Sequence, residues 1–261
     1  MLMLIFMDLG KKTLSFLGFF GGLATLTGQT VYQTFKPPYN YGRIIEQSKK
    51  AGYESLPIVS VVALFIGFIF ALQFGYFMQR IGSEMYIASL VALAILRELG
   101  PVITALIVAG RVGAANTAEL GSMQVTEQID ALETLATNPV KYLAVPRFLA
   151  LGLMLPLLTL YADLVGIIGS YLICVFKLGI TSSMYINMTF SALIHKDLFI
   201  GLFKAWIFGM VIALVSCHEG FNVEGGATGV GRATTRSVVF SFLLILAADC
   251  FITAVFYFIF P

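Results

Sequence analysis

Charge is scarce in this sequence. Lys, Arg, Asp and Glu together make up 11% of its 261 residues, where about 25% is usual in soluble domains. Hydrophobic residues make up 59%. So few charges could not cover a soluble globule of this size, and disordered chains are poor in apolar residues. The composition therefore excludes both classes and predicts a polytopic membrane protein.

Cysteine and histidine are also scarce. The three cysteines are odd in number, lack CxxC spacing and lie in apolar context, which favours small buried hydrophobes over a disulfide framework or a metal site. The two histidines belong to no HExxH motif, and no GxSxG occurs. We therefore predict no catalytic residues, no metal and no enzymatic activity. The net charge of +2 is too small to indicate nucleic acid as a partner.

Long apolar runs dominate what remains. A membrane-spanning helix needs about 20 mostly apolar residues, and four segments meet this requirement plainly: 56–77, 148–173, 198–217 and 238–260. A fifth, 85–110, carries Arg97 and Glu98 but is too apolar on both sides for a loop. The uncharged segment 13–35 contains Thr, Gln and Gly, and it either spans the membrane or lies in the interface as an amphipathic helix.

The distribution of basic residues orients these spans. With the N-terminus and segment 111–147 in the cytoplasm, eleven of the 16 Lys and Arg residues are cytoplasmic, three are outside and two lie within spans. A sixth span at 13–35 would move Lys11 and Lys12 outside, so the interfacial position is favoured. The first apolar run precedes this basic pair, unlike the order in a cleavable signal.

The loop between the second and third predicted spans contains an amphipathic pattern. Apolar side chains recur at helical steps, which predicts a helix over 118–137: Val125, Ile129, Leu132 and Leu135. Acidic side chains follow at steps of three on another face: Glu127, Asp130 and Glu133. Asn138 and Pro139 end the pattern. The helix is either a solvated surface element or a docking element for a cytoplasmic partner.

The chain has no recognisable nucleotide-binding motor. Its nearest approach to a P-loop is GATGVGRA at 226–233, where Arg232 replaces the lysine and Ala233 the hydroxyl residue. This segment also follows a membrane span, whereas a P-loop follows a β-strand. We interpret it as a flexible turn before the last span, with Thr234 and Thr235 as helix caps.

Five ionisable residues fall within predicted spans, where charges are costly and usually face a partner or a cavity: Arg97, Glu98, Asp163, Lys204 and Asp249. Arg97 and Glu98 point about 100° apart on a helix and should not pair directly. Pro101 removes the hydrogen bond to the Arg97 carbonyl. The pair forms either the wall of a head-group site or an ion-pair network between helices. For Asp163, Lys204 and Asp249 we expect packing or buried hydrogen bonds.

Two motifs carry a family resemblance. The run LVALAILRELGPVITALIVAGRVGAANTAELGSMQVTEQIDALETLATNP at 90–139 closely resembles the core of the MlaE/YrbE permeases. The run EGGATGVGRATTRSVV at 224–239, followed by Asp249 and Thr253, resembles the second signature of the same family. These permeases are the membrane subunits of Mce-associated ABC lipid transporters. The two runs cover the middle and C-terminal thirds of the chain.

The resemblance implies an all-α membrane protein with one permease domain at 1–261. It implies an interfacial N-terminal helix, five transmembrane helices and a cytoplasmic coupling helix at 118–137. The expected assembly is a homodimer in the bacterial inner membrane with a cytoplasmic ABC ATPase subunit, which binds ATP and Mg, so that this chain needs no cofactor. A periplasmic MCE-domain ring protein and a STAS-domain protein are further expected partners. The expected substrate is phospholipid, moved between inner and outer membranes to maintain outer-membrane lipid asymmetry.

The resemblance also implies two sets of site residues. Substrate contact is expected from the RELGP element and, by position on the first span, from its neighbours: Arg97, Glu98, Phe70, Gln73, Phe74 and Phe77. ATPase coupling is expected from the acidic residues of 118–137: Glu119, Glu127, Asp130 and Glu133. A permease for another hydrophobic lipid, such as a sterol, and a non-transporting membrane scaffold are the alternatives. A small-solute channel would need a more polar pore lining than these spans offer.

Overall fold

The computed structural model describes residues 2–193 and 195–259, with side chains for 17–193 and 196–258. Residues 1, 194, 260 and 261 of the predicted domain, including the end of the span predicted at 238–260, lie outside these described residues. The described residues form helices joined by short turns, with no strand among them. The α-helices are α1 (Leu2–Thr34), α2 (Tyr41–Ala51), α3 (Leu56–Arg80), α4 (Ile87–Ala94), α5 (Gly100–Val108), α6 (Ala114–Val125), α7 (Gln128–Thr134), α8 (Val145–Phe176), α9 (Ser182–Ala192), α10 (His195–Phe221) and α11 (Gly226–Ile259).

Within the described residues, five helical segments are long and apolar enough to cross a membrane: Tyr41–Arg80, Glu84–Val125, Val140–Phe176, Lys196–Phe221 and Gly226–Phe258. Four of them contain a predicted span whole, and the fifth overlaps the span predicted at 238–260, which confirms an all-α membrane protein. The helices run beyond most of the predicted ends because hydropathy marks only the apolar part of each rod. The position of α1 in the interface stays a prediction, and "outer" and "cytoplasmic" below follow the basic-residue bias.

The second span is irregular. After a 3₁₀ turn at Glu84–Tyr86, α4, α5 and α6 follow one another through two π-helical turns, Ile95–Leu99 and Ala109–Gly113. A π turn widens the helix locally and is frequent at functional sites. Each of the two carries an arginine in a span otherwise almost free of charge, Arg97 in the first and Arg111 in the second.

Glycines set the closest helix approach, between α3 and α8. A Cβ on Gly67 would lie 2.1 Å from the Gly166 carbonyl oxygen, and one on Gly169 would lie 2.6 Å from that of Leu64. Small residues at such crossings let membrane helices pack backbone to backbone. Gly209 of α10 meets the Leu151 carbonyl in the same way, so that α8 is held between α3 and α10.

Three apolar clusters lie at successive depths. The outer cluster joins α3, α4, α8 and α9 around Ile87 and Val91. The central cluster joins α5, α8, α10 and α11 around Leu155 and Phe208. The cytoplasmic cluster joins α1, α6 and α10 around Leu120. The core thus runs along the whole bundle, and the described side chains of α1 join it in the cytoplasmic cluster.

Two sequence expectations are wrong in the C-terminal half. The helix α11 begins at Gly226 instead of residue 238, so GATGVGRA forms its first turns rather than a flexible turn. Thr234 and Thr235 therefore lie inside the helix, where both hydroxyls donate to the Gly231 carbonyl instead of capping a helix start. In addition, α9 occupies a stretch to which no element had been assigned, and it packs against α4 on the outer side.

The α3–α8 contact makes a first prediction. Gly67→Ala should lower the free energy of unfolding by about 1–3 kcal/mol, because the new Cβ displaces backbone of α8. Thermal unfolding in detergent measures the change. Gly231→Ala is the matched control, since its Cβ would meet nothing within 4 Å and alanine favours the helix. Equal melting of both variants would contradict the close crossing.

Candidate functional site

The backbone carbonyl of Arg97, in the first π turn, lacks its usual helical donor. Pro101 has no N–H to donate to the Arg97 carbonyl one turn earlier. The structure supplies another donor, since Lys204 Nζ of α10 lies 3.1 Å from this oxygen. Pro101 thus lies just after a π turn, and a side chain of a neighbouring span supplies the donor that its backbone lacks.

Lys204 is the centre of a buried charge cluster. Its side chain is 0% exposed, and Nζ lies 2.6 Å from Glu98 Oε2 and 2.8 Å from Asp249 Oδ1. Nζ also donates to Thr253 Oγ1 at 2.7 Å, and this hydroxyl donates to Glu98 Oε1 at 3.2 Å. The "Lys204 cluster", as we name these four residues, joins the second, fourth and fifth spans.

Arg97 points elsewhere, to Asp197 at the start of α10. Its Nε and Nη2 lie 2.6 and 2.5 Å from Asp197 Oδ1. The aspartate is buried, whereas the arginine side chain is 51% exposed. Asp197 holds one edge of the guanidinium while the rest of it faces the surface of the chain.

The two charged groups lie at different depths. Asp197 is near the outer end of α10, and Lys204 follows seven residues later, which is about 10 Å deeper at 1.5 Å per residue. The side chain of Arg97 therefore reaches towards the start of α10, whereas that of Glu98 turns towards Lys204. Asp197 was not among the predicted site residues because the span was predicted to begin at Leu198; an acidic residue directly at a span boundary was the available signal.

The ion pairs of Arg97 and Glu98 are of the kind that one of the two alternatives describes, and a role at a head-group site stays a prediction. Arg97 and Glu98 do not pair with each other, and both join ion pairs between helices. Lys204 and Asp249 form part of the same network instead of isolated hydrogen bonds. Asp163 of α8 is buried against Gly100, whose added Cβ would lie 1.8 Å from Asp163 Oδ1, as expected for packing.

The four predicted residues of the first span divide between two environments. Phe70 and Phe74 lie half-buried against the outer apolar cluster, with ring centroids 5.9 Å apart. Gln73 and Phe77 are exposed on the surface of the single chain. The structure therefore brings only Gln73 and Phe77 to an open face, while Phe70 and Phe74 stiffen the helix behind it.

The predicted coupling helix over 118–137 is two helices. Its first part is the end of α6, which continues the second span as far as Val125. Glu127 adopts a left-handed conformation with φ 57°, and α7 begins directly afterwards. We call residues 114–144 the cytoplasmic elbow: α6, this break, α7 and the π turn Val140–Ala144.

The acidic residues of the elbow differ in their surroundings. Glu127, Asp130 and Glu133 are exposed, and the last two line a cleft of about 500 Å³ between α1, α7 and the end of α10. Glu119 instead pairs with the buried Arg147 at 3.0 Å. Of the expected apolar ridge, Ile129 is buried, whereas Leu135 is 75% exposed. The elbow thus presents an acidic edge with one free leucine to the cytoplasm.

Comparisons with known proteins agree on the kind of protein this chain is similar to. The family model described as Permease MlaE matches residues 44–255. A probable ABC transporter permease protein of Rickettsia felis is 42% identical over 257 residues, 98% of this chain and 99% of that protein. A probable ABC transporter permease protein of Synechocystis is 40% identical over 228 residues, 87% of each chain. The protein TRIGALACTOSYLDIACYLGLYCEROL 1, chloroplastic, of Arabidopsis thaliana is 38% identical over 232 residues, 89% of this chain and 66% of that protein.

The Lys204 cluster makes a second prediction. Lys204→Met should destabilise the bundle by about 1.5–3 kcal/mol, because the partly exposed carboxylates of Glu98 and Asp249 lose the charge-assisted hydrogen bonds of the buried cation that joins them. Thermal unfolding and the yield of monodisperse protein measure the loss. Replacing Glu98 and Asp249 by Gln and Asn in the same chain should recover most of it. A single variant as stable as the parent would contradict the structural role of the cluster.

Proposed function

The chain belongs to the MlaE permease family, and on that premise we propose that it moves glycerophospholipid as the membrane subunit of an ABC transporter. As a family member it is a multi-pass lipid-transport permease. The identity of the lipid, the partners and the membrane are parts of the proposal. Each rests on a feature of the described residues together with the family resemblance.

The half-exposed Arg97 carries the proposal for the substrate. A cation facing outwards at membrane depth is costly unless an anion meets it, and Asp197 occupies only one edge of this guanidinium. The planar fork of arginine suits a phosphate oxygen pair. A phosphodiester head group at the outer level of the bundle would complete its contacts, with Glu98 behind Arg97 held in place by Lys204.

The exposed face of α3 suits the acyl chains. A row of apolar side chains lies open along this helix beside Gln73 and Phe77: Val61, Phe65, Ile69, Leu72 and Tyr76. Apolar contact is insensitive to chain length and unsaturation, so such a wall accepts many lipids. One relative carries the name of trigalactosyldiacylglycerol, which supports a lipid with two acyl chains. A sterol offers no phosphate for Arg97 and is the weaker candidate.

A second copy of the chain completes the site in this proposal. Gln73 and Phe77 lie on the surface of the single chain, where a partner protomer would turn an open face into an enclosed pocket. Family permeases are expected to form such homodimers. The lipid would then lie between the first two spans of the two copies and be open to the outer side.

Energy is supplied by a separate subunit in this proposal. The acidic edge of the cytoplasmic elbow docks on a cytoplasmic ABC ATPase, which binds ATP and Mg, and its closure moves the elbow. By the family resemblance, a STAS-domain protein binds that ATPase and a periplasmic MCE-domain ring protein continues the lipid path. The complex would lie in the bacterial inner membrane and serve outer-membrane lipid asymmetry.

The substrate proposal makes a third prediction. Arg97→Gln should reduce phospholipid retained by the purified complex about tenfold, because a charge-assisted hydrogen bond contributes about 1.5–3 kcal/mol. Mass spectrometry of lipid per complex measures this. Lys177→Gln is the matched control, an exposed basic residue directly after α8 on the outer side. Unchanged lipid in the Arg97 variant would remove the head-group role.

The coupling proposal makes a fourth prediction. Reversing two charges, Asp130→Lys with Glu133→Lys, should abolish co-purification of the ATPase subunit and lipid transfer, since the docking edge becomes basic. Pull-down on the tagged permease and transfer of labelled lipid between vesicles measure both. Glu84→Lys on the outer side is the control. A scaffold that needs no ATPase would tolerate the double reversal.

A further inference from the structure

Arg111, in the second π turn, binds three residues at the junction between α2 and α3. Its Nη1 donates to the Lys50 carbonyl at 3.1 Å and to Ser55 Oγ at 2.8 Å. Its Nη2 pairs with Glu54 Oε2 at 2.9 Å. Three acceptors around one planar fork fix a direction as well as a distance. The second span is thereby fastened to the start of the first.

The cytoplasmic elbow holds α2 at further points along its length. Two of the contacts involve the π turn at 140–144 and one involves α6. They are the cation–π contact of Arg43 with the Tyr142 ring at 3.6 Å, the bond from Lys141 Nζ to the Pro37 carbonyl at 3.2 Å, and the ion pair of Lys50 with Glu119 at 3.9 Å. The elbow therefore contacts the approach, the first turn and the last turn of α2.

The elbow itself is braced by the buried Arg147 at the start of α8. Arg147 pairs with Glu119 at 3.0 Å, donates from Nε to Asn116 Oδ1 at 3.4 Å and from Nη1 to the Leu143 carbonyl at 2.9 Å. These bonds join both ends of the elbow to one guanidinium. A displacement of α7 would then move α6 and the π turn Val140–Ala144 together.

We propose that α2 transmits movement of the cytoplasmic elbow to the first span. Arg111 is the positioning residue that keeps the end of α2 attached to the second span. A single 3₁₀ turn, Tyr53–Ser55, separates α2 from α3, so displacement of α2 reorients the helix that carries Gln73 and Phe77. This rests on the proposed ATP-driven function and deepens it: the lipid-facing wall is moved from the cytoplasmic side, through the first span.

The test uses the full complex with its ATPase in lipid nanodiscs. Cys250→Ser removes the exposed native thiol, while Cys174 and Cys217 are buried. Spin labels are then placed in separate samples at Tyr76→Cys on α3 and at Leu135→Cys on the elbow, both exposed. The distance between the two copies' labels is measured without nucleotide and after trapping with ATP and vanadate. Transfer of fluorescent phosphatidylglycerol per ATP hydrolysed is measured in parallel on the unlabelled complexes, which keep Tyr76 and Leu135.

The variants are Arg111→Gln, Glu54→Gln and both together, with Glu46→Gln as the control. Glu46 forms an ion pair with Lys50 at 3.1 Å, and both residues belong to α2. Loss of this ion pair therefore detaches no helix from another. In the Arg111 variant the label at 135 should still shift on trapping, while the shift at 76 is lost. Lipid moved per ATP should fall about fivefold or more, the range of an ordinary coupling between sites. The double variant should be no worse than Arg111→Gln alone.

The outcomes separate the inference from the proposed function. Normal shifts at 76 and normal lipid per ATP in Arg111→Gln would overturn the inference. A Glu46→Gln variant as impaired as Arg111→Gln would also overturn it, since loss of charge alone would then suffice. If the parent complex moves no phosphatidylglycerol while both labels shift on trapping and only the Arg111 variant loses the shift at 76, the transmission stands and the phospholipid function fails.

Discussion

The buried ammonium of Lys204 is the constraint on which the bundle depends. A charge in the apolar core is tolerated only when every donor is matched, and Lys204 finds two carboxylates, a hydroxyl and a backbone carbonyl there. These partners come from the second and fifth spans, so the register of three helices is set together. The same arrangement turns Glu98 inwards and, one residue earlier, leaves Arg97 directed outwards.

The two π turns of the second span each place one arginine against a neighbouring element. One places Arg97 beside Asp197 at the start of α10, and the other places Arg111 against the α2–α3 junction. Between them α5 is regular and apolar, and it packs in the central cluster. The second span is thus joined by charged contacts to two different neighbours, on either side of a regular apolar segment.

Hydropathy predicted the spans because length and apolarity are local properties, and helical phase predicted that Arg97 and Glu98 would separate. Predicting a partner such as Asp197 required tertiary information, because Asp197 lies a hundred residues from Arg97 along the chain, at the edge of a span. The break at Glu127 was hidden because the apolar pattern continues through it in phase, from Val125 to Ile129. Gly225 and Gly226 look like turn residues, and their positive φ angles do mark a turn, but a helix starts there at once.

Helical phase also divides the predicted residues of the first span between two faces. Phe70 and Phe74 lie one turn apart on the face that packs against α4 and α8, whereas Gln73 and Phe77 lie one turn apart on the open face. The second pair is the more exposed and combines a single amide with an aromatic ring. In the proposed function, selectivity for a head group comes from Arg97, because apolar walls do not discriminate among acyl chains. The fold thus separates a polar element that is fixed in place by Asp197 from an apolar element that the cytoplasmic elbow can reorient.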